Sequence, residues 1–138
     1  MVQSALPDPE SRLRRYLRLG DDIRNLGGEH AEVQNGSLFQ SAEPSFTRSL
    51  GTLYVIEGSV HGGQLIRRSL ESHLPKIDPM TVQFLGGFGD ETAAHWRRFC
   101  QWLAEQSLST DQAEEACKAA SETFSIFTDF LLNESPRS

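Results

Sequence analysis

Apolar residues recur at steps of three and four through most of this chain, and that recurrence predicts four helices. In the first, Leu13, Tyr16, Leu17, Ile23 and Leu26 share one stripe. Asp8-Pro9 offers an N-cap followed by a first-turn proline, and Gly27-Gly28 offers the stop. The second runs from about Ser45 to Ser72, with Leu50, Leu53, Tyr54, Glu57, Gly58, His61, Gly62, Leu65 and Ile66 on one broad face. Pro75 and Pro79 end it. After a turn containing Gly86, Gly87 and Gly89, Asp90 is expected to cap a third helix that carries Trp96, Phe99, Cys100 and Leu103 inward. The fourth starts after Ser109-Thr110-Asp111 and ends near Asn133, with Ala113, Ala116, Ala120, Phe124, Phe127 and Leu131 on its apolar face. Its aromatic stripe, Phe124, Phe127 and Phe130, reads as core. Glu29 to Pro44 shows no period and contains Asn35-Gly36, so it reads as a loop. No segment alternates as a strand does, which places the chain in the all-α class. Its 138 residues suit a single domain, residues 1–138, around one hydrophobic core.

Charge and composition exclude several kinds of partner. A formal charge of −6 sets the field of the whole molecule against phosphate backbones and anionic lipid, so nucleic acid is not an expected partner. Arg12, Arg14, Arg15 and Arg18 crowd the first helix and, with Asp21 and Asp22 following, read as a solvated face. The N-terminal MVQSALPDPES lacks the apolar run of a secretory leader, and the most apolar region holds Glu57 and His61, which excludes a membrane span. A cytoplasmic location follows as the expectation. Cys100 and Cys117 have no metal-ligand spacing and are expected to be reduced core residues, and no metal site is expected. The glycines around position 87 match no phosphate-binding motif, since neither G-x-G-x-x-G nor a P-loop lysine is present.

Glycine costs about 1 kcal/mol relative to alanine inside a helix, so Gly58, Gly62 and Gly63 in one helix need a reason. Gly58 and Gly62 stand four apart, on the same side as Tyr54 and His61, and baring that side lets another body approach the backbone. That body is a neighbouring helix or a flat ligand, and spacing alone leaves both open.

The stretch LYVIEGSVHGGQ resembles the distal-helix motif of bacterial, biliverdin-producing heme oxygenases, LYV-x-EGS-x-LGG. Three further segments stand in the family's order: LPDPESRLRRYLRLGDDIRNLG before the motif, FLGGFGDETAAHWRRF after it and ASETFSIFTDFL at the end. The resemblance implies a multihelical heme oxygenase-like fold in which haem, both cofactor and substrate, lies between a proximal helix and a kinked distal helix. It assigns Gly58 and Gly62 to the backbone over the reacting face and Ser59 to a hydroxyl that holds a proton-delivering water. These three form the implied catalytic set. Tyr54, Gly58, Ser59, Gly62, Gly63, Phe124 and Phe127 form the implied haem contacts. The family reaction consumes dioxygen and electrons from a donor and yields biliverdin, carbon monoxide and ferrous iron.

Two departures stand out. Family chains begin with helices that carry the proximal histidine, and no residue here matches it, because His30, His61, His73 and His95 fall within or after later parts of the pattern. The expectation is a family fold lacking its first helices, with catalysis doubtful and an apolar face left for a homodimer or a partner chain to cover. His61 stands where the family has leucine, and reads either as a substitute ligand or as a half-exposed residue on the helix shoulder. His95 is expected at the surface, and Arg97 and Arg98 pair either with haem propionates or with nearby acids. Two functions follow: a haem-degrading enzyme or its remnant, and a non-catalytic helical binding or dimerisation module that keeps the scaffold and an affinity for haem or a bilin.

Overall fold

The computed structural model describes residues 5–28 and 45–133. The expected loop from Glu29 to Pro44, with Asn35-Gly36 and His30, lies outside them, as do the side chains of Phe130 and Leu131. Four helices are present, α1 (Pro9–Asn25), α2 (Phe46–His73), α3 (Thr92–Ala104) and α4 (Thr110–Asn133), with no strand among the described residues. Three one-turn 3-10 helices, Pro79–Thr81, Phe84–Gly86 and Gly89–Glu91, link α2 to α3. No described helix is long and apolar enough to cross a membrane.

Local signals explain most boundaries. The Ser45 hydroxyl accepts from the Arg48 amide at the start of α2. Ser109 and Gln112 form a reciprocal capping box at α4, each side chain accepting from the other's backbone amide. At the end of α1, Gly27 takes φ +82°, and the Gly28 and Gly27 amides donate to the Ile23 and Arg24 carbonyls, a Schellman closure. Two expected caps are corrected. Asp8 sits in the left-handed region at φ 52° and caps nothing with its side chain, which instead accepts from Arg98 Nε at 2.8 Å. Asp90 lies inside the last 3-10 turn, so Glu91 takes the N-cap position of α3 and no side chain caps that helix.

The described residues gather into two compact units. One holds α1, the part of α2 from Gly58 onward, the 3-10 segment and α3. Its buried residues include Val60, Val82, Phe99 and Trp102. α1 enters this unit the other way round from the expectation. Arg12, Arg15 and Asp22 are buried, while Leu13 and Leu17 are each 61% exposed and Tyr16 and Leu26 also face outward. The buried arginines are accommodated because guanidinium groups stack on rings: Arg12 lies over Phe99 at 5.5 Å and Arg15 over Phe84 at 4.2 Å. Arg12 Nε also donates to the Pro7 carbonyl at 2.7 Å.

The other unit pairs the first part of α2 with α4. Leu50 and Val55 are buried on α2, and Ala119 and Thr123 on α4. The contact is close: a Cβ at Gly51 would overlap the Ala116 carbonyl and stand 2.9 Å from the Ala120 amide nitrogen. Arg48 pairs with Glu122, and the Thr123 hydroxyl donates to Thr52 Oγ1 at 3.2 Å. Small residues therefore form the crossing face of α4, and the phenylalanine stripe lies beside it. Phe124 and Phe127 are exposed, against their expected place in the core, and so is Cys117.

Candidate functional site

The glycines of α2 after position 57 meet three different surroundings. A Cβ on Gly58 would touch Trp96 of α3, at 3.6 Å from Cη2, in ordinary van der Waals contact. One on Gly63 would stand 3.3 Å from the Leu85 carbonyl oxygen, so this glycine admits the backbone of the 3-10 segment. At Gly62 no atom of the described residues lies within 4 Å of where a Cβ would stand. The two bodies that spacing left open are thus told apart at one position: a neighbouring helix occupies the space over Gly58, and no described residue covers the backbone at Gly62. Ser59 is exposed beside it, and Leu65 and Ile66, one turn further on, are 64% and 54% exposed. Together they make a bare backbone position flanked by one hydroxyl and two aliphatic chains, a surface suited to a flat apolar ligand with a polar centre.

Tyr54, Phe124 and Phe127 belong to the unit formed by the first part of α2 and α4, and all three expose their rings. Among the described histidines, His61 is exposed and meets Trp96 edge-on, with ring centroids 5.6 Å apart. His73 shares a hydrogen bond with the Ser69 carbonyl at 2.8 Å. His95 overturns its expected surface position. It is 7% exposed and stacks on Phe88, with centroids 3.9 Å apart and planes 9° from parallel. Its Nδ1 lies 3.5 Å from Asp8 Oδ2 and makes no hydrogen bond among the described residues. Arg98 binds Asp8, one of the two pairings the sequence left open, and Arg97 is exposed. No group of three potential metal ligands occurs among the described residues.

Burial holds the His95 imidazole below its ordinary value, partly offset by the Asp8 carboxylate. Arg98 in turn pulls the Asp8 carboxyl below the usual range by donating to it. Because the folded state binds His95's proton less well than the unfolded state does, folded stability drops as pH falls below about 6.5 and is fully present above it. Urea denaturation at pH 7 and at pH 5 should show this loss, and His95→Phe, which keeps a ring on Phe88 but cannot titrate, should flatten it. An unchanged slope in that variant would assign the loss to another group.

Neither period nor motif singled out Gln64, whose Nε2 reaches Thr92 Oγ1 at 2.8 Å, the Gly86 carbonyl at 3.2 Å and the Gly89 carbonyl at 3.3 Å. An amide side chain directly after paired glycines was the available signal.

Residues 18–133 match the family described as heme oxygenase. The chain is also 32% identical over 121 residues to a heme oxygenase of Xanthomonas campestris pv. campestris (strain 8004), an alignment covering 88% of this chain and 69% of that protein. No solved structure matches. The bare, glycine-marked helix, the all-helical architecture and a family match over most of its length agree: this chain belongs to the heme oxygenase family.

Proposed function

We propose that this chain presents the distal wall of a haem site along α2, with none of its described histidines as the proximal ligand. The observation that carries the reading is the open backbone at Gly62, with exposed Ser59, Leu65 and Ile66 around it. Haem, when bound, supplies the oxygen chemistry and the carbon skeleton that is cleaved, while electrons come from a separate donor. The chain's own residues then orient and shield. Gly62 lets the helix backbone lie against a flat face that any larger side chain would hold off. The Ser59 hydroxyl both donates and accepts, so it can hold a proton or a water at that face. Leu65 and Ile66 exclude bulk water from one edge.

None of the described histidines suits the proximal role. His95 is buried on Phe88, His73 is tied to its own helix, and His61 lies on the same helix as the distal face. Ferric haem should therefore bind saturably with a Soret band that His61→Ala and His73→Ala leave unchanged. Gly62→Leu should weaken binding about tenfold or more, by filling the open position. A Soret band altered by either histidine variant would overthrow the ligand part of the proposal. Equal binding by Gly62→Leu would remove haem from this face.

One observation favours a second reading, a non-catalytic helical module for binding or dimerisation: the outward apolar stripe Leu13, Tyr16 and Leu17 on α1. A second copy or a partner chain covering it would bury these side chains. Leu13→Gln with Leu17→Gln should leave the folded chain as stable as before within about 0.5 kcal/mol, since both are exposed. In sedimentation velocity the same pair should abolish any self-association of the wild type. A wild type that stays monomeric up to high concentration would exclude the second copy.

A further inference from the structure

The open strip of α2 and the 3-10 segment lie on different sides of the same helix. Val60, Gly63, Gln64 and Arg67 form one stripe, and each meets the segment from Leu85 to Thr92. Ser59, Gly62 and Ile66 form a second stripe about a third of a helical turn away. Whatever holds the rear stripe in place therefore sets where the bare front lies.

We infer that Gln64 and Thr92 are positioning residues for the front of α2: their hydrogen bond anchors the glycine-rich segment to the back of the helix and thereby holds the backbone at Gly62 in its ligand-facing geometry. The inference rests on the haem-binding reading for what the strip faces, and on the following contacts for how it is held. Thr92 is 4% exposed. Its hydroxyl accepts from Gln64 Nε2 and from the Phe88 amide at 3.2 Å while donating to the Gly89 carbonyl at 2.8 Å. Gln64 adds donor contacts to the Gly86 and Gly89 carbonyls, so one side-chain amide closes both ends of the turn. Gly87, at φ +61°, lets the chain pass so near Val60 that a Cβ would sit 2.5 Å from Val60 Cγ1. Gly63 admits Leu85 in the same way.

This anchoring matters because α2 is intrinsically weak here. Three glycines in six residues favour the unfolded chain, and on the front no described residue touches Gly62, so the rear contacts and Trp96 are what oppose local opening. Gln64 therefore acts through the backbone of the strip, and has no place among the groups that would touch a ligand.

Amide hydrogen exchange of the haem-free chain tests the inference directly. Gln64→Met keeps length and helix preference but cannot donate, Thr92→Val keeps shape without the hydroxyl, and Thr92→Ser restores the oxygen. The first two should speed exchange of the amides from Gly58 to Ile66 about tenfold, with α4 unchanged, and Thr92→Ser should exchange as the wild type does. In ferric haem titrations the first two should bind at least tenfold more weakly, with Thr92→Ser again like the wild type. Acceleration confined to residues 84–92, leaving Gly58 to Ile66 protected, would overturn the inference. So would unchanged haem affinity in Gln64→Met when the wild type binds. Should Thr92→Val fail to fold, Gln64→Met decides alone, since Gln64 is only half-buried. A wild type that never binds haem sinks the proposed function, whereas the exchange pattern still judges how the strip is held.

Discussion

Gly51→Ala is expected to destabilise the unit built from the first part of α2 and α4 by about 3 kcal/mol, the upper end of what overpacking usually costs. The added methyl would overlap the Ala116 carbonyl and crowd the Ala120 amide nitrogen, both backbone groups that cannot swing aside as a flexible side chain would. Relief requires the two helices to separate, which would strain the Thr52–Thr123 hydrogen bond and the Arg48–Glu122 pair along the same contact. The probe must be chosen with care. Both tryptophans, Trp96 and Trp102, lie in the other unit, so their fluorescence would follow the wrong region. Far-UV circular dichroism or exchange at α4 amides reports the loss. Gly62→Ala is the control with the opposite sign. Among the described residues nothing lies within 4 Å of the Cβ that alanine would add, so the ordinary helix preference for alanine should raise stability by about 0.5 to 1 kcal/mol. Two glycines in one helix, substituted identically, should thus move stability in opposite directions. If both variants melt together with the wild type, the close α2–α4 contact does not exist in solution.

That contrast shows what periodicity can reveal and what it cannot. The four helices and the stop at Gly27-Gly28 were legible, because each depends on a few neighbouring residues whose backbone preferences act locally, whereas the caps expected at Asp8 and Asp90 were not formed. Which glycine receives a neighbour was not legible, since Gly51, Gly58, Gly62 and Gly63 differ only in what the folded chain brings to them. The motif drew the eye to Gly58 and Gly62, yet the tightest crossing is at Gly51, and Gly58 is covered by Trp96. The same limit explains α1. A 3.6-residue period locates an apolar stripe but does not say whether this chain covers it, and here the opposite stripe, Arg12, Arg15 and Asp22, turns inward. Arginine counted as solvated because burying its charge is expensive. The structure offsets that cost with the ring faces of Phe99 and Phe84, partners far away in sequence. His95 escaped notice for the same reason: the Phe88 ring that covers it belongs to the turn before α3. The α4 aromatics were misplaced because a close helix crossing selects alanine and threonine over larger apolar residues.

A buried carboxylate of α1 leads to the second large effect. Asp22 is 5% exposed, and its two carboxylate oxygens accept from the Gln83 amide at 3.0 Å and the Phe84 amide at 2.7 Å. Those amides open the 3-10 turn Phe84–Gly86, where a short helix leaves its first donors without partners of its own. Hydrogen bonds to a charged acceptor are worth more than neutral ones, and a buried amide that loses its acceptor keeps the full desolvation cost. Asp22→Ala should therefore cost about 3 kcal/mol. Asp22→Asn should cost about half as much, because its single carbonyl oxygen can serve one amide while its NH2 group faces the other. Arg15, two turns earlier on the same stripe, stacks on Phe84, and its ring contact should loosen with the turn. Urea denaturation followed by tryptophan fluorescence suits this unit, and hydrogen exchange should show the Gln83 and Phe84 amides losing protection before any in α4. Asp22 and Gln64 grip the same segment from α1 and α2, so each substitution alone should leave the other grip in place and the double variant should lose more than the sum. Strictly additive losses would mean that the two contacts hold independent pieces of chain, and the single anchored segment behind α2 would have to be abandoned.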